Sequence, residues 1–198
     1  MTLRSLLASA ALLFAAAAPA LAEGWELGVG VQGGWATLEE AGSGGFAVDE
    51  QPGYGLALGV SRRLSAATSV ELEVLAGRHG TTLPDINAAW SSGALGLRYG
   101  FAGAGGLRPY LRGGVGGVNV RIAPEGGGER LDLKGLCGVM GAGLRLAVTE
   151  RLQFDLELAH RVVNYDDDSV VIESVYTGTR IDKAGSFTTL AFVARLGL

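Results

Sequence analysis

The sequence predicts an all-β protein, an eight-stranded antiparallel up-and-down β-barrel that spans a membrane. The 198-residue chain is 48% hydrophobic, yet after its first 22 residues it has no apolar run long enough for a membrane helix. Its 33 glycines disfavour long helices as well. Eight separate stretches alternate between apolar residues and small or polar ones, which is typical of strands with two different faces.

The N-terminal segment is typical of a cleaved signal peptide. Arg4 is its only charged residue, an Ala-rich apolar run follows, and Pro19 ends that run. Ala20-Leu21-Ala22 places small residues where a signal peptidase needs them. We therefore expect residues 1–22 to be removed on export and residues 23–198 to form one barrel domain.

Charge and cysteine content exclude several classes of protein. The net charge of −4 argues against a nucleic-acid-binding protein, which needs clustered basic side chains. Cys137 is the sole cysteine, so no internal disulfide is possible, and we expect it to pack as a small side chain on a strand. The sequence has no zinc, nucleotide or Ser-His-Asp motif, so we expect no cofactor and no metal site.

The alternation is clearest in the seventh stretch and least regular in the fifth. In the seventh, apolar residues alternate with polar or small ones from Leu152 to Ala159. In the fifth, from about Pro109 to Ile122, the apolar residues change parity halfway. A β-bulge near Gly116-Gly117 would reconcile the two halves.

The composition of the polar face favours a membrane barrel over a soluble one. That face is rich in Gly and Ala, which a narrow eight-stranded lumen needs because it barely holds side chains. A soluble barrel would instead turn the Leu, Val and aromatic side chains inward, and a soluble periplasmic ligand-binding barrel remains an alternative.

The connections predict the orientation and an acidic external rim. Those after strands one, three, five and seven are mostly longer, about residues 37–52, 79–88, 123–134 and 163–186, and hold most of the carboxylates. Outer-membrane barrels have short periplasmic turns and longer external loops. The run Asp166-Asp167-Asp168 offers a weak contact to cations or to other surfaces.

Two segments and the C-terminal strand resemble the small bacterial outer-membrane β-barrel family, which includes the OmpA transmembrane domain and the opacity-type surface proteins. The segments are Arg108 to Gly116, with its Pro-Tyr opening and Gly-rich continuation, and Gly135 to Leu146. The C-terminal strand is similar to the family's assembly signal, although Leu198 replaces the usual terminal aromatic residue.

This resemblance implies a location in the bacterial outer membrane. It also implies contact with outer-membrane lipid and lipopolysaccharide, and with the outer-membrane assembly machinery. We expect a monomer that contributes to envelope structure or presents its loops to an extracellular partner.

Charged residues of both signs fall on the small or polar face and predict a hydrogen-bonded network inside the tube, because unpaired buried charges are costly. We expect this network to act as a structural plug; a narrow channel for small or apolar solutes is the alternative. Its members are Glu26, Glu71, Glu73, Arg98, Arg112, Arg145, Asp155, Glu157, Arg161 and Arg195.

Enzymatic activity is not expected. Some eight-stranded outer-membrane barrels deacylate lipid A with a neighbouring His and Ser, and His160 has Val162 where their motif places the serine. A lipid A-modifying enzyme is therefore only an alternative. His79 is interpreted as a solvated residue at a loop edge. Aromatic residues near strand ends are expected to form girdles at the membrane interfaces: Trp25, Trp35, Tyr54, Trp90, Tyr99, Phe101 and Tyr110.

Overall fold

The computed structural model describes residues 24–41, 51–80, 86–124, 131–165 and 180–198, which form a closed barrel of eight antiparallel strands. The strands are β1 (Trp25–Ala41), β2 (Gln51–Arg63), β3 (Thr68–Gly80), β4 (Ile86–Gly100), β5 (Leu107–Pro124), β6 (Leu131–Ala147), β7 (Leu152–Tyr165) and β8 (Arg180–Gly197). No helix in these residues is long and apolar enough to cross a bilayer. The predicted signal peptide lies outside the described residues.

Pairing of the first strand with the last closes the barrel. Each strand pairs with its neighbours in sequence, and Gly30 of β1 lies opposite both Ala57 of β2 and Val193 of β8. A closed sheet has no unpaired edge, so every strand finds backbone hydrogen bonds without water, as a membrane requires.

The described connections all lie at one end of the barrel. They follow β2, β4 and β6, and the chain termini of the barrel lie beside them, since the amide of Leu198 donates to the carbonyl of Trp25 at 3.0 Å. In outer-membrane barrels the short turns face the periplasm. We call this the periplasmic end and the opposite one the external end.

Neighbouring residues of one strand occupy opposite surfaces of the wall. On β3, Glu71 and Glu73 are only 4% and 8% exposed, whereas Leu72 and Val74 are 53% and 49% exposed. The large aliphatic side chains thus form the outer surface, and the ionic and small ones fill the lumen. This arrangement confirms the predicted transmembrane barrel.

The predicted bulge near Gly116-Gly117 is wrong. β5 pairs with β4 and with β6 in unbroken register along its whole length. Val118, Val120 and Ile122 are buried in the lumen on the same face as Tyr110. The parity of the apolar residues changes because the lumen itself becomes apolar toward the external end.

Two aromatic side chains predicted for the girdles point inward instead. Trp90 and Tyr110 are 5% and 3% exposed and lie in the lumen, whereas Trp35, Tyr54, Tyr99 and Phe101 are exposed on the outer surface. His79 is also buried rather than solvated, with its ring centroid 5.8 Å from that of Trp90. Near a strand end, a girdle residue and a lumen residue differ only in which of the two alternating sets of positions they belong to. Where both sets are apolar, the sequence does not show which one points into the lumen.

Candidate functional site: an ion network inside the barrel

Ten ionic side chains meet in the lumen, mostly toward the periplasmic end. We call them the ion network: Glu26, Glu71, Glu73, Asp155, Glu157, Arg98, Arg112, Arg145, Arg161 and Arg195. The structure brings together all ten charged residues that the sequence placed on the lumen face. Small residues make room for them, since Glu71 lies opposite Gly96 and Glu157 opposite Gly143.

Asp155 lies at the centre of the network and is 1% exposed. It accepts hydrogen bonds from Arg98 Nη1 at 2.6 Å, Arg145 Nε at 2.8 Å and Arg195 Nε at 2.5 Å. These arginines stand on β4, β6 and β8, so one carboxylate on β7 ties together strands on several sides of the tube. Charge-assisted hydrogen bonds of this kind are about twice as strong as neutral ones.

Arg98 links Asp155 to two further carboxylates. Its Nη2 lies 2.9 Å from Glu71 Oε2 and 3.4 Å from Glu157 Oε2. Arg195 also donates to Glu71 through its second terminal nitrogen. Glu71 and Asp155 are therefore bridged by two different arginines.

The upper part of the network is built around Glu73. Arg112 binds it in a bidentate manner, with Nη1–Oε2 at 2.7 Å and Nη2–Oε1 at 2.8 Å. Arg161 adds a third bond to Glu73 at 2.6 Å and donates through Nη1 to Thr189 Oγ1 at 2.9 Å. Arg112 also reaches Glu157 Oε1 at 2.9 Å, which joins this part to the centre.

The lower part surrounds Glu26 near the periplasmic mouth. Glu26 accepts from Arg145 Nη1 at 3.1 Å, from Arg63 Nη2 at 3.0 Å and from Ser61 Oγ at 3.3 Å. Arg63 is half exposed at the rim, so the network passes from buried to solvated groups at this level.

Tyr110 closes the network on the β5 side, a role the sequence did not suggest. Its hydroxyl donates to Glu157 Oε2 at 2.9 Å, and the Arg98 guanidinium lies 4.2 Å from the centre of its ring. Gly143 accommodates the ring, because a Cβ there would lie 2.4 Å from Tyr110 Cζ. The only signal in the sequence was the position of Tyr110, which precedes Arg112 by two residues and therefore shares its inward face on β5.

The network balances its charges. Its five carboxylates match its five guanidinium groups, and every carboxylate receives at least two hydrogen bonds. Buried ions persist only when they are paired and hydrogen-bonded in this manner. An eight-stranded barrel is just wide enough for side chains, so the ion network leaves little room for solvent.

Above the ion network the lumen is apolar. We call these buried residues the apolar layer: Leu75, Trp90, Val118, Val120, Ile122, Leu133, Cys137, Val139, Val163, Tyr165 and Phe187. The rings of Trp90 and Phe187 stack at 5.4 Å between centroids, and His79 packs against both. The layer fills the lumen on the external side of the ion network with buried side chains.

A polar cavity of about 540 Å³ occupies the periplasmic mouth below the network. Arg63, Arg108 and Gln153 line its walls, and Arg98 and Tyr110, both buried, lie on its inner side. The cavity is a vestibule that ends at the ion network.

The remaining candidates lie outside the lumen. His160 faces outward on β7, as its parity predicts, and its Nδ1 lies 2.9 Å from Thr188 Oγ1. The acidic run Asp166-Asp167-Asp168 lies outside the described residues. Among the residues that are described, no group of three His, Cys, Asp or Glu side chains is placed to hold a metal ion.

A closed eight-stranded barrel with an apolar outer wall and an ionic lumen defines an integral outer-membrane β-barrel protein. The model of the outer membrane protein beta-barrel domain family matches residues 8–188, and the chain belongs to this family. The protein is therefore located in the bacterial outer membrane, which excludes the soluble periplasmic alternative.

Solved structures of the same fold support this assignment. Neisserial surface protein A is similar with a TM-score of 0.66 at 12% identity, over 88% of this chain and 97% of that one. Ail, the attachment invasion locus protein of Yersinia pestis, is similar with a TM-score of 0.52 at 15% identity, over 88% and 99%. The N-terminal β-barrel domain of Pseudomonas aeruginosa OprF gives 0.51 at 15%, over 88% and 98%. No curated protein matches the chain.

Proposed function

We propose that this outer-membrane protein is a non-enzymatic, monomeric barrel with a closed lumen, which serves the envelope as a structural element and presents acidic external loops to partners. The ion network carries the proposal. Asp155 alone holds guanidinium groups from three strands, so a conducting path would require several buried ion pairs to break together. The apolar layer lies above it and lines most of the external half of the lumen with hydrocarbon and aromatic groups, which are poor substitutes for the water around a permeating ion.

Planar-bilayer recording of the refolded full-length protein tests the closed lumen. We expect no unitary current steps from the native sequence at moderate voltage. Two variants are compared in the same recording. Arg98→Ala removes a central guanidinium of the ion network, and its matched control Arg62→Ala removes an outward-facing one. Regular steps from the native protein would overturn the proposal in favour of a narrow channel.

One contact favours the alternative of a lipid-modifying enzyme. The His160 imidazole and the Thr188 hydroxyl are within hydrogen-bond distance on the outer surface, as a base and a nucleophile need to be. Their outward neighbours across the sheet are Met140 and Trp35, so among the described side chains no carboxylate lies directly opposite the pair to orient the ring. We therefore interpret the contact as a hydrogen bond that satisfies two polar groups on an apolar surface.

Lipid A from cells with and without the protein separates these functions. We expect identical acyl-chain profiles by mass spectrometry for the native protein, His160→Ala and an empty control. An acyl chain lost only with the native protein would establish an enzyme. The His160→Ala variant would then identify the base.

A further inference from the structure

The polar cavity at the periplasmic mouth has two arginines in its wall that do not belong to the ion network. They are Arg63 at the end of β2 and Arg108 at the start of β5. Arg63 follows the buried Ser61 by two residues, and Arg108 precedes the buried Tyr110 by two, so both occupy inward positions of their strands. Their side chains therefore face the cavity and not the surrounding lipid.

Arg108 lies beside a second cation. The strand register places it directly opposite Arg145 of β6, and like charges at opposite positions destabilise a sheet. Arg145 is compensated, because it donates to Asp155 at 2.8 Å and to Glu26 at 3.1 Å. Arg108 forms no ion pair or hydrogen bond with the side chains that the structure describes. Unfavourable placements of this kind are expected at functional sites, and here the placement favours an anion as ligand.

The charges around the cavity sum to a positive value. The ion network is neutral by itself, and Arg63 and Arg108 add two positive charges to the wall. Glu150, in the connection after β6, is the one further carboxylate among the described residues that line the cavity. The wall therefore has a surplus of one cation, at the end of the barrel that opens to the periplasm.

Two turns add hydroxyl donors to the same wall. In the turn after β2, Ser65 Oγ accepts hydrogen bonds from two backbone amides at 3.2 and 3.0 Å. In the turn after β6, Thr149 Oγ1 does the same at 3.2 and 2.9 Å. A hydroxyl that accepts two hydrogen bonds still has its own proton to donate. Both residues line the cavity, so its wall is rich in donors.

We infer that this cavity is a binding site for a small soluble phosphate ester from the periplasm. Guanidinium groups bind phosphate oxygens through paired hydrogen bonds, and hydroxyl groups add single ones. The donors lie on separate parts of the wall, near the ends of β2, β5 and β6. A tetrahedral phosphate presents oxygens in several directions and suits this arrangement better than a planar carboxylate.

The size and the remaining lining favour an organic ligand over a bare ion. The cavity volume of about 540 Å³ is within the range of small-molecule sites and is far larger than a phosphate ion needs. Apolar residues complete the wall and can contact the organic part of the ester: Ala66, Phe101, Ala102, Pro109 and Ala147. The site does not depend on whether the lumen conducts.

Isothermal titration calorimetry of the refolded full chain tests the site, in phosphate-free buffer with micelles of lauryldimethylamine oxide and with glucose 6-phosphate as the probe. We expect Arg108→Gln to weaken binding roughly tenfold, as the loss of a charge-assisted hydrogen bond should. The variant should fold normally, because Arg108 supports no ion pair in the barrel. Equal affinities of the native protein and Arg108→Gln, or no binding by the native protein, would overturn the inference.

Two further variants separate local contact from the general charge of this end. Arg62→Gln is the matched control, because the Arg62 guanidinium lies 5.6 Å from the ring centre of Trp25, outside the cavity. Its affinity should equal that of the native protein, and a loss as large as that of Arg108→Gln would reject a defined site. Glu150→Gln removes a repelling carboxylate and should strengthen binding by up to about fivefold. Weaker binding by this variant would contradict an anion at this wall.

Two other probes on the native protein define the ligand. Glucose lacks the phosphate and should not bind measurably, so equal binding of glucose and its 6-phosphate would reject phosphate recognition. Inorganic phosphate lacks the organic part and should bind at least about tenfold more weakly than the ester. Equal affinity for both would mean an adventitious ion only and would overturn the ester as ligand.

Discussion

The two halves of the lumen are filled by opposite chemistry. Toward the periplasm, Asp155 and Glu71 are buried among arginines, and every bond depends on a specific partner at a specific distance. Toward the outside, Leu133 and Phe187 are just as deeply buried among hydrocarbon and aromatic groups. Both halves fill the lumen with buried side chains, but the ionic half packs through directional contacts and the apolar half through shape.

This difference has consequences for stability and specificity. Replacing a buried ion pair by apolar groups is often neutral, whereas removing one partner is strongly destabilising. An apolar layer responds instead to lost volume and tolerates substitutions that conserve volume. We expect the ion network to fix the register of the strands and the apolar layer to supply most of the burial energy.

The largest effect is expected from Asp155→Ala. This change leaves the guanidinium groups of Arg98, Arg145 and Arg195 without their shared carboxylate, and should lower the free energy of unfolding by about 3–5 kcal/mol. Urea unfolding in lipid vesicles, followed by tryptophan fluorescence, measures it. Asp132→Ala, which breaks the partly exposed pair with Arg121, is the control and should cost less than about 1 kcal/mol. Equal losses in both would mean that the ion network contributes no more than a surface pair.

The apolar layer is tested by Leu133→Ala, which opens a cavity at a fully buried position and should cost about 2–5 kcal/mol. Leu136→Ala on the same strand is the matched control, because its side chain faces outward and is 72% exposed. Lipid chains fill the space left at Leu136, so only the transfer energy of the lost atoms is forfeited. Urea unfolding should show a larger loss of stability for Leu133→Ala than for Leu136→Ala. The opposite order would mean that the inward and outward faces of β6 are assigned the wrong way round.

The packing between the backbone of β6 and Tyr110 is tested by Gly143→Ala. The added methyl group meets the phenol ring and the carbonyl oxygen of Leu156, and overpacking of this kind costs about 1–3 kcal/mol. Gly138→Ala is the control on the same strand, since a Cβ there has no atom within 4 Å. Thermal unfolding on heat-modifiability gels compares them. A Gly143→Ala barrel as stable as Gly138→Ala would show that Tyr110 does not pack where the network needs it.

The smallest effect is expected from Tyr110→Phe. Glu157 loses one hydrogen bond but keeps those from Arg98 and Arg112, so we expect a cost of about 1 kcal/mol in urea unfolding. Tyr99→Phe, at an outward position, is the control and should be close to neutral. If Tyr110→Phe cost as much as Asp155→Ala, the hydroxyl would be essential to the network and not one bond among several.

The sequence by itself determined the architecture and the charged contents of the periplasmic half of the lumen. A period of two residues assigns side chains to two faces of a strand, and the Gly- and Ala-rich composition of the ionic face favours placing that face in the lumen. Glu71, Glu73, Asp155 and Glu157 were therefore predicted for the lumen, and all four lie there.

Only the tertiary structure decided the external half of the lumen and the pairing of charges. Val118, Trp90 and His79 occupy lumen positions that look like lipid-facing or loop positions in the sequence, because an apolar lumen and a lipid-facing surface select the same residues. The partners of Asp155 come from β4, β6 and β8, and such contacts exist only after the barrel closes and the register is set. Local periodicity gives the face of each side chain, whereas closure gives its neighbours across the tube.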